Sequence, residues 1–183
     1  MQLRDNGLGF SPITIALHWI VAALLCAIGV LAVAAQGAGE AARAETLRLQ
    51  NLLGLLLFLV SLYRFWARVT SFHPLPVGTP NPVEVIVSRS MSTALALAMV
   101  LLPVAAWLSR AAGGEAVALP GGLALPTLVA PDAGLKRVVD LLYRIGATAF
   151  LAGLALHLFG ACKNHFVLKN DALRRMAGKH VEL

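Results

Sequence analysis

The chain has 183 residues, of which 58% are hydrophobic and only 13% charged, and its mean hydropathy is +0.78. That balance excludes an ordinary soluble domain. The formal net charge of +6 needs no nucleic-acid partner, because membrane topology and contact with anionic membrane lipid account for it.

A hydrocarbon layer takes roughly 20 predominantly apolar residues to cross. Four stretches meet that length, at about 10–35, 46–66, 85–109 and 137–162. They predict an all-α integral membrane protein over residues 1–183: a single four-helix bundle running up-down-up-down, with no room for a second domain.

In the first stretch, Arg4 ahead of an apolar core and Ala32-Val33-Ala34-Ala35 imitate a secretory signal with its cleavage site. The run is longer than a signal core and carries His18-Trp19, so it reads as a retained helix. Gln36 to Glu45, rich in Gly and Ala, reads as a short outer connection. The second stretch carries Arg64 and Arg68 near its inner end. Phe72 to Pro82 contains four prolines and predicts a stiff extended inner loop. Between the third and fourth stretches, Ala111 to Leu135 is the longest connection. Pro120-Gly121-Gly122 and Pro126 break any helix there, yet the segment stays apolar, so it is expected along the outer membrane face or against a partner. The basic tail after His165 predicts an interfacial helix end.

Basic residues set the orientation. The side holding both termini collects nine bases (Arg4, Arg64, Arg68, Arg89, Lys163, Lys169, Arg174, Arg175, Lys179) against four acids (Asp5, Glu84, Asp171, Glu182). The opposite side has six bases against five acids. Positive residues favour the cytoplasmic face, which predicts a multi-pass protein of the bacterial inner (cytoplasmic) membrane with both termini in the cytoplasm.

Two histidines then stand out. His18 lies about 8 residues inside the first helix from the inner end, ~12 Å deep at the helical rise. His157 lies about 8 residues before the inner end of the fourth helix, again ~12 Å deep. Ionisable groups at membrane depth point to function, and imidazole is the usual nitrogen ligand of haem iron. First and last helices of a four-helix bundle can face each other across the core, so one haem b clamped between His18 and His157 explains both residues. The competing explanation is that each histidine only bonds a neighbouring helix. Neither Cys26 nor Cys162 lies in a Cys-x-x-Cys-His motif, which excludes c-type attachment. Their different depths argue against a mutual disulfide.

Other candidates have weaker signals. Arg64 and Arg68 suit haem propionates or positive-inside anchoring. His165 and Lys169, at the inner interface, suit a propionate, a quinone carbonyl or simple snorkelling. Trp19, Trp66 and Trp107 read as packing and interface anchors, His73 as an exposed loop residue and His180 as part of a fraying tail.

The run Ser11 to Trp19, the second helix with Gly54, Arg64 and Arg68, Leu102-Pro103 in the third, and above all His157 followed by His165-Phe166, Lys169, Asp171, Leu173, Arg175 and Met176 resemble the bacterial cytochrome b561 family. This is a family of four-helix, di-haem, quinol-linked cytochromes related to the b-type subunits of nickel-iron hydrogenases. The resemblance implies electron transfer with a quinone such as ubiquinone, or with a partner redox protein, and superoxide as another one-electron partner. Against the family pattern, Gln50 stands where the second helix should carry histidine. Tyr143 stands 14 residues before His157, where the fourth should carry another, and the third helix has Arg89 and Ser92 near its start in place of histidine. Fourteen residues is ~21 Å and close to four turns, the separation of two stacked haems. Glutamine does not ligate haem iron and tyrosine does so only in special cases, so the comparison predicts one inner haem without an outer one. The other reading is an accessory or anchoring subunit of a larger respiratory or photosynthetic membrane complex, with no active haem. No broken helix pair or internal repeat suggests a transporter.

Overall fold

A computed structural model of the chain describes residues 5, 9–70, 81–169 and 172–178. Four long helices dominate it: α1 (Pro12–Ala34), α2 (Glu40–Thr70), α3 (Pro82–Ala112) and α4 (Ala133–Cys162). All four are long and apolar enough to cross a membrane. Large apolar side chains such as Val30, Leu59, Leu101, Leu151 and Phe159 point outward, as expected of helices whose solvent is lipid. The predicted membrane bundle is therefore present.

Local chemistry sets the helix starts. Ser11 Oγ accepts from Thr14 N at 3.1 Å, with Pro12 in the first turn. Asn81 Oδ1 accepts from Val83 N at 2.9 Å, and Asp132 Oδ1 accepts from Leu135 N at 2.9 Å. These caps satisfy N–H groups that helix geometry leaves without partners. Asp5 Oδ1 in turn accepts from Ser11 N at 2.7 Å.

Three of the helices, α2, α3 and α4, outrun the hydropathy-based bounds, while α1 stays just inside them. Helix α2 starts at Glu40, so the outer connection predicted to reach Glu45 is already helical from Glu40. Polar residues such as Arg43, Glu45 and Arg48 extend that helix beyond the hydrocarbon, where an Arg48–Glu45 pair at 3.0 Å lies one turn apart. The Phe72 to Pro82 loop with His73, and His180, fall almost entirely outside the described residues.

The long third connection folds back on the bundle. Strands β1 (Val117–Ala118) and β2 (Ala124–Leu125) pair antiparallel, Val117 opposite Leu125. The turn between them holds Gly121 and Gly122 at φ 75° and 77°, where a side chain would be strained. Val117 and Leu119 are buried, and Asn51 Nδ2 of α2 donates to Ala118 O at 2.9 Å. Trp107 Nε1 donates to Pro126 O at 2.9 Å. This apolar segment is thus a cap over the outer end of α2 and α3, packed on the chain's own helices.

Packing follows chain order, α1 on α2, α2 on α3, and most extensively α3 on α4; no comparable backbone seam joins α1 to α4. The α3–α4 seam is close because α4 presents glycines to it. A methyl on Gly146 would lie 3.1 Å from Leu102 Cδ2, and one on Gly153 would lie 3.1 Å from Met91 Sδ. Small residues at such crossings let helices approach in lipid. At its outer end the seam is tied by polar groups. Ser109 Oγ donates to Asp140 Oδ1, and Lys136 Nζ donates to Asp140 Oδ2 at 2.9 Å.

Past α4 the chain makes one π-helical turn (Lys163–Val167) and then a short helix, α5 (Ala172–Met176). Trp19 Nε1 donates to Met176 O at 2.8 Å, and the Arg175 guanidinium sits 5.9 Å over the Phe10 ring. The predicted interfacial tail therefore turns back under the inner end of α1. Partial burial lowers the Arg175 pKa, yet guanidinium stays charged at any physiological pH.

Candidate functional site

The two intramembrane histidines meet. His18, on the second turn of α1, and His157, six residues from the end of α4, have ring centroids 6.4 Å apart with planes inclined at 60°. Both are half-buried, and they face each other across the α1–α4 side that lacks a close backbone seam. Trp19 packs edge-on to His18 at 5.6 Å.

Arg64 completes the group. Its Nη2 lies 3.4 Å from His18 Nδ1. A guanidinium only donates, so in this contact Nδ1 accepts and the ring proton rests on Nε2. Arg68, one turn on, reaches the opposite way, donating from Nε to Thr93 Oγ1 at 3.1 Å. The two arginines of α2 thus serve different seams, which their spacing in sequence did not separate.

The spacing of the imidazoles suits one metal atom between them. Two metal–nitrogen bonds of about 2 Å, plus about 1.1 Å from each nitrogen to its ring centre, place the centres roughly 6 Å apart. The donor set is right for haem iron as well, with neutral nitrogen ligands and an arginine alongside for a carboxylate.

His165 and Lys169 do not join this group. His165 lies in the π-helical turn, its ring edge-on to Phe166 at 4.8 Å. Lys169 is exposed, with φ 50°. Among the described residues neither makes a hydrogen bond, ion pair or ring contact with His18, His157 or Arg64. Cys26 and Cys162 are both exposed free thiols.

The outer positions are occupied by side chains with other engagements. Gln50 Nε2 donates to Ile28 O of α1 at 3.4 Å, and Tyr143 is 39% exposed on the outer face of α4. Among the described residues no group of three or more His, Cys, Asp or Glu side chains is placed to hold a metal ion.

One residue near the site escaped the sequence reading. Ser61, one turn before Arg64 on α2, is 1% exposed, and its hydroxyl has no hydrogen-bond partner among the described residues. A serine inside an apolar stretch gives no signal that separates this case from one bonding its own helix.

Four membrane-spanning helices with two imidazoles facing each other between the first and the last have the build of a membrane b-type cytochrome. Comparison with known proteins agrees. The chain belongs to the prokaryotic cytochrome b561 family, whose sequence model matches residues 9–179. It is similar to cytochrome b561 homolog 2 of Escherichia coli (strain K12), with 28% identity over 131 residues that make up 72% of this chain and 70% of the relative. Membership makes it a membrane cytochrome of electron transfer, for which the family implies b-type haem.

Proposed function

We propose that this chain carries one haem b, held at the inner end of the bundle by His18 and His157, and exchanges electrons with a quinone or a partner redox protein at the bacterial inner membrane. The observation that carries the reading is the 6.4 Å approach of the two imidazoles from opposite ends of the sequence. Bound there, a b-type haem supplies a one-electron Fe(III)/Fe(II) couple.

The chain's own residues have three tasks. His18 and His157 each offer a nitrogen lone pair. For Nε2 of His18 to do so its proton must move to Nδ1, and Arg64 must then leave the contact it makes with that atom. Arg64 would then be free to pair with a carboxylate of the bound group, which guanidinium suits by charge-assisted bonds. Trp19, edge-on to His18 and bonded to Met176 O, limits the ring's rotation and ties its position to the chain's tail.

Gln50 and Tyr143 support a single haem. Glutamine is outside the haem-ligand repertoire, and Gln50 is engaged with α1. One centre at the inner end does not relay electrons across the whole membrane by itself. Its traffic is then confined to the inner half unless a partner provides the outer half.

A haem-to-chain ratio tests this. Pyridine haemochrome analysis of the purified protein should give one haem per chain, with low-spin haem b bands in the dithionite-reduced minus oxidised spectrum. His18→Ala and His157→Ala should each abolish those bands. Two haems per chain would refute the single site, and a colourless protein that is folded and reconstituted with haemin would select the accessory-subunit role.

A further inference from the structure

Beyond the haem site, the α2–α3 seam carries a second charged feature. Arg68 of α2 and Arg89 of α3 lie side by side, the Arg68 guanidinium reaching the Arg89 backbone. Arg68 donates to Thr93 Oγ1 at 3.1 Å and to Arg89 O at 3.4 Å. These bonds hold its guanidinium against α3 and, among the described residues, leave three of its five N–H groups without a partner. None of the ion pairs among the described residues includes Arg68 or Arg89. Asp5 is the carboxylate whose field reaches Arg68, and its Oδ1 already accepts from Ser11 N.

The surroundings make this unusual. Arg89 lies seven residues past the start of α3, ~10 Å along the helix. Ile86 and Val87 beside it are 65% and 56% exposed. A long cationic side chain near the inner end of a lipid-facing helix reaches the headgroup layer, where anionic phosphate is the available counter-charge. Arg89, Ser90 and Thr93 line one end of an open groove of about 450 Å³, and Ala94 and Leu97 line the rest of it. Polar groups therefore stand at the inner end of this open groove, and its two apolar residues lie further along α3.

We infer that this groove is a binding site for an anionic phospholipid of the inner leaflet, its phosphate on Arg68, Arg89 and Ser90 and an acyl chain along Ala94 and Leu97. The charge complement requires an anion, and the apolar extension requires that the anion carry a hydrocarbon chain. Guanidinium and hydroxyl groups together match phosphate oxygens. The site lies on the α2–α3 side, whereas the histidines face each other between α1 and α4, so binding here is separable from haem content.

The test uses the full chain with its haem in detergent micelles, titrated with phosphatidylglycerol or phosphatidylcholine of identical acyl chains and read by native mass spectrometry. Wild type should retain phosphatidylglycerol in preference to phosphatidylcholine. Arg89→Gln should weaken that retention roughly tenfold while the haem spectrum stays unchanged. Ala94→Trp, which fills the groove without altering charge, should weaken it similarly and serves if the arginine variant fails to fold. Equal retention of the two lipids would overturn the proposal. So would displacement by millimolar inorganic phosphate, which would mark an ion site alone, or by an uncharged ubiquinone analogue, which would mark a quinone site.

Discussion

The substitution Gly153→Leu should cost the protein its haem although residue 153 touches no ligand. Gly153 is buried, four residues before His157, so about 6 Å away along α4. A Cβ built on it falls 3.1 Å from Met91 Sδ and 3.4 Å from Leu95 Cδ2. An alanine methyl fits if the flexible thioether gives by a few tenths of an ångström, and alanine favours the helix by roughly 1 kcal/mol over glycine. The three further carbons of leucine have nowhere to go. Overpacking of this kind costs about 1–3 kcal/mol, and the simplest relief is for α4 to move off α3 by ~1 Å or more. His157 moves with it, whereas metal–ligand distances tolerate only about 0.2 Å. Haem-to-chain ratio and the reduced minus oxidised spectrum, with helicity followed by circular dichroism, measure the effect. Alanine should leave all three unchanged, and leucine should lower haem content sharply in a protein that is still helical. A leucine variant with full haem content and unaltered low-spin bands would refute the coupling of this seam to the histidine pair.

Arg64→Gln should lower the midpoint potential, because a lost positive charge favours the oxidised iron. At ~10 Å and an effective dielectric of ~20, one charge is worth about 1.7 kcal/mol, or roughly 70 mV for one electron, which redox titration measures. Asn51→Ala removes the bond holding Ala118. A net loss of about 1 kcal/mol should speed amide exchange across the 117–125 hairpin roughly fivefold, while haem content stays constant. Trp19→Phe removes the donor to Met176 O, and trypsin should cut after Arg174 or Arg175 faster, again by roughly fivefold for a bond of this size.

Much of the architecture was legible because lipid demands long apolar runs, and hydropathy reads those directly. What hydropathy missed lies outside the lipid. Glu40 to Glu45 is polar yet helical, and Asp132, a recognisable cap two residues before Gly134, sets the start of α4 ahead of its apolar part. Pro120-Gly121-Gly122 announced a break, but two-residue strands are too short to show any period, and their pairing depends on Asn51 far away in sequence. The same distinction holds at the site. The matched depth of His18 and His157 could be counted from the helix ends. The reach of Arg64 to His18, 46 residues apart, depends on how α1 and α2 rotate against each other. Lys136 and Asp140 carry helical spacing in the sequence, while the arrival of Ser109 from α3 does not. His165 and Lys169 fit the family's terminal pattern, while the π-helical turn that carries His165 has no signal that hydropathy reads.

The placement of that pair toward one end of the bundle has an electrical consequence. A centre ~12 Å into a hydrocarbon layer of ~30 Å sits about two-fifths of the way through the field across it. Each 100 mV of membrane voltage is worth about 2.3 kcal/mol for a charge crossing completely. An electron entering this site from the inner side therefore gains roughly 0.9 kcal/mol, ~40 mV, when the interior is negative. Its return to that side is opposed equally. On the proposed reading, the apparent potential of a haem held by these two imidazoles thus follows the energisation of the membrane, so that its affinity for an electron responds to voltage.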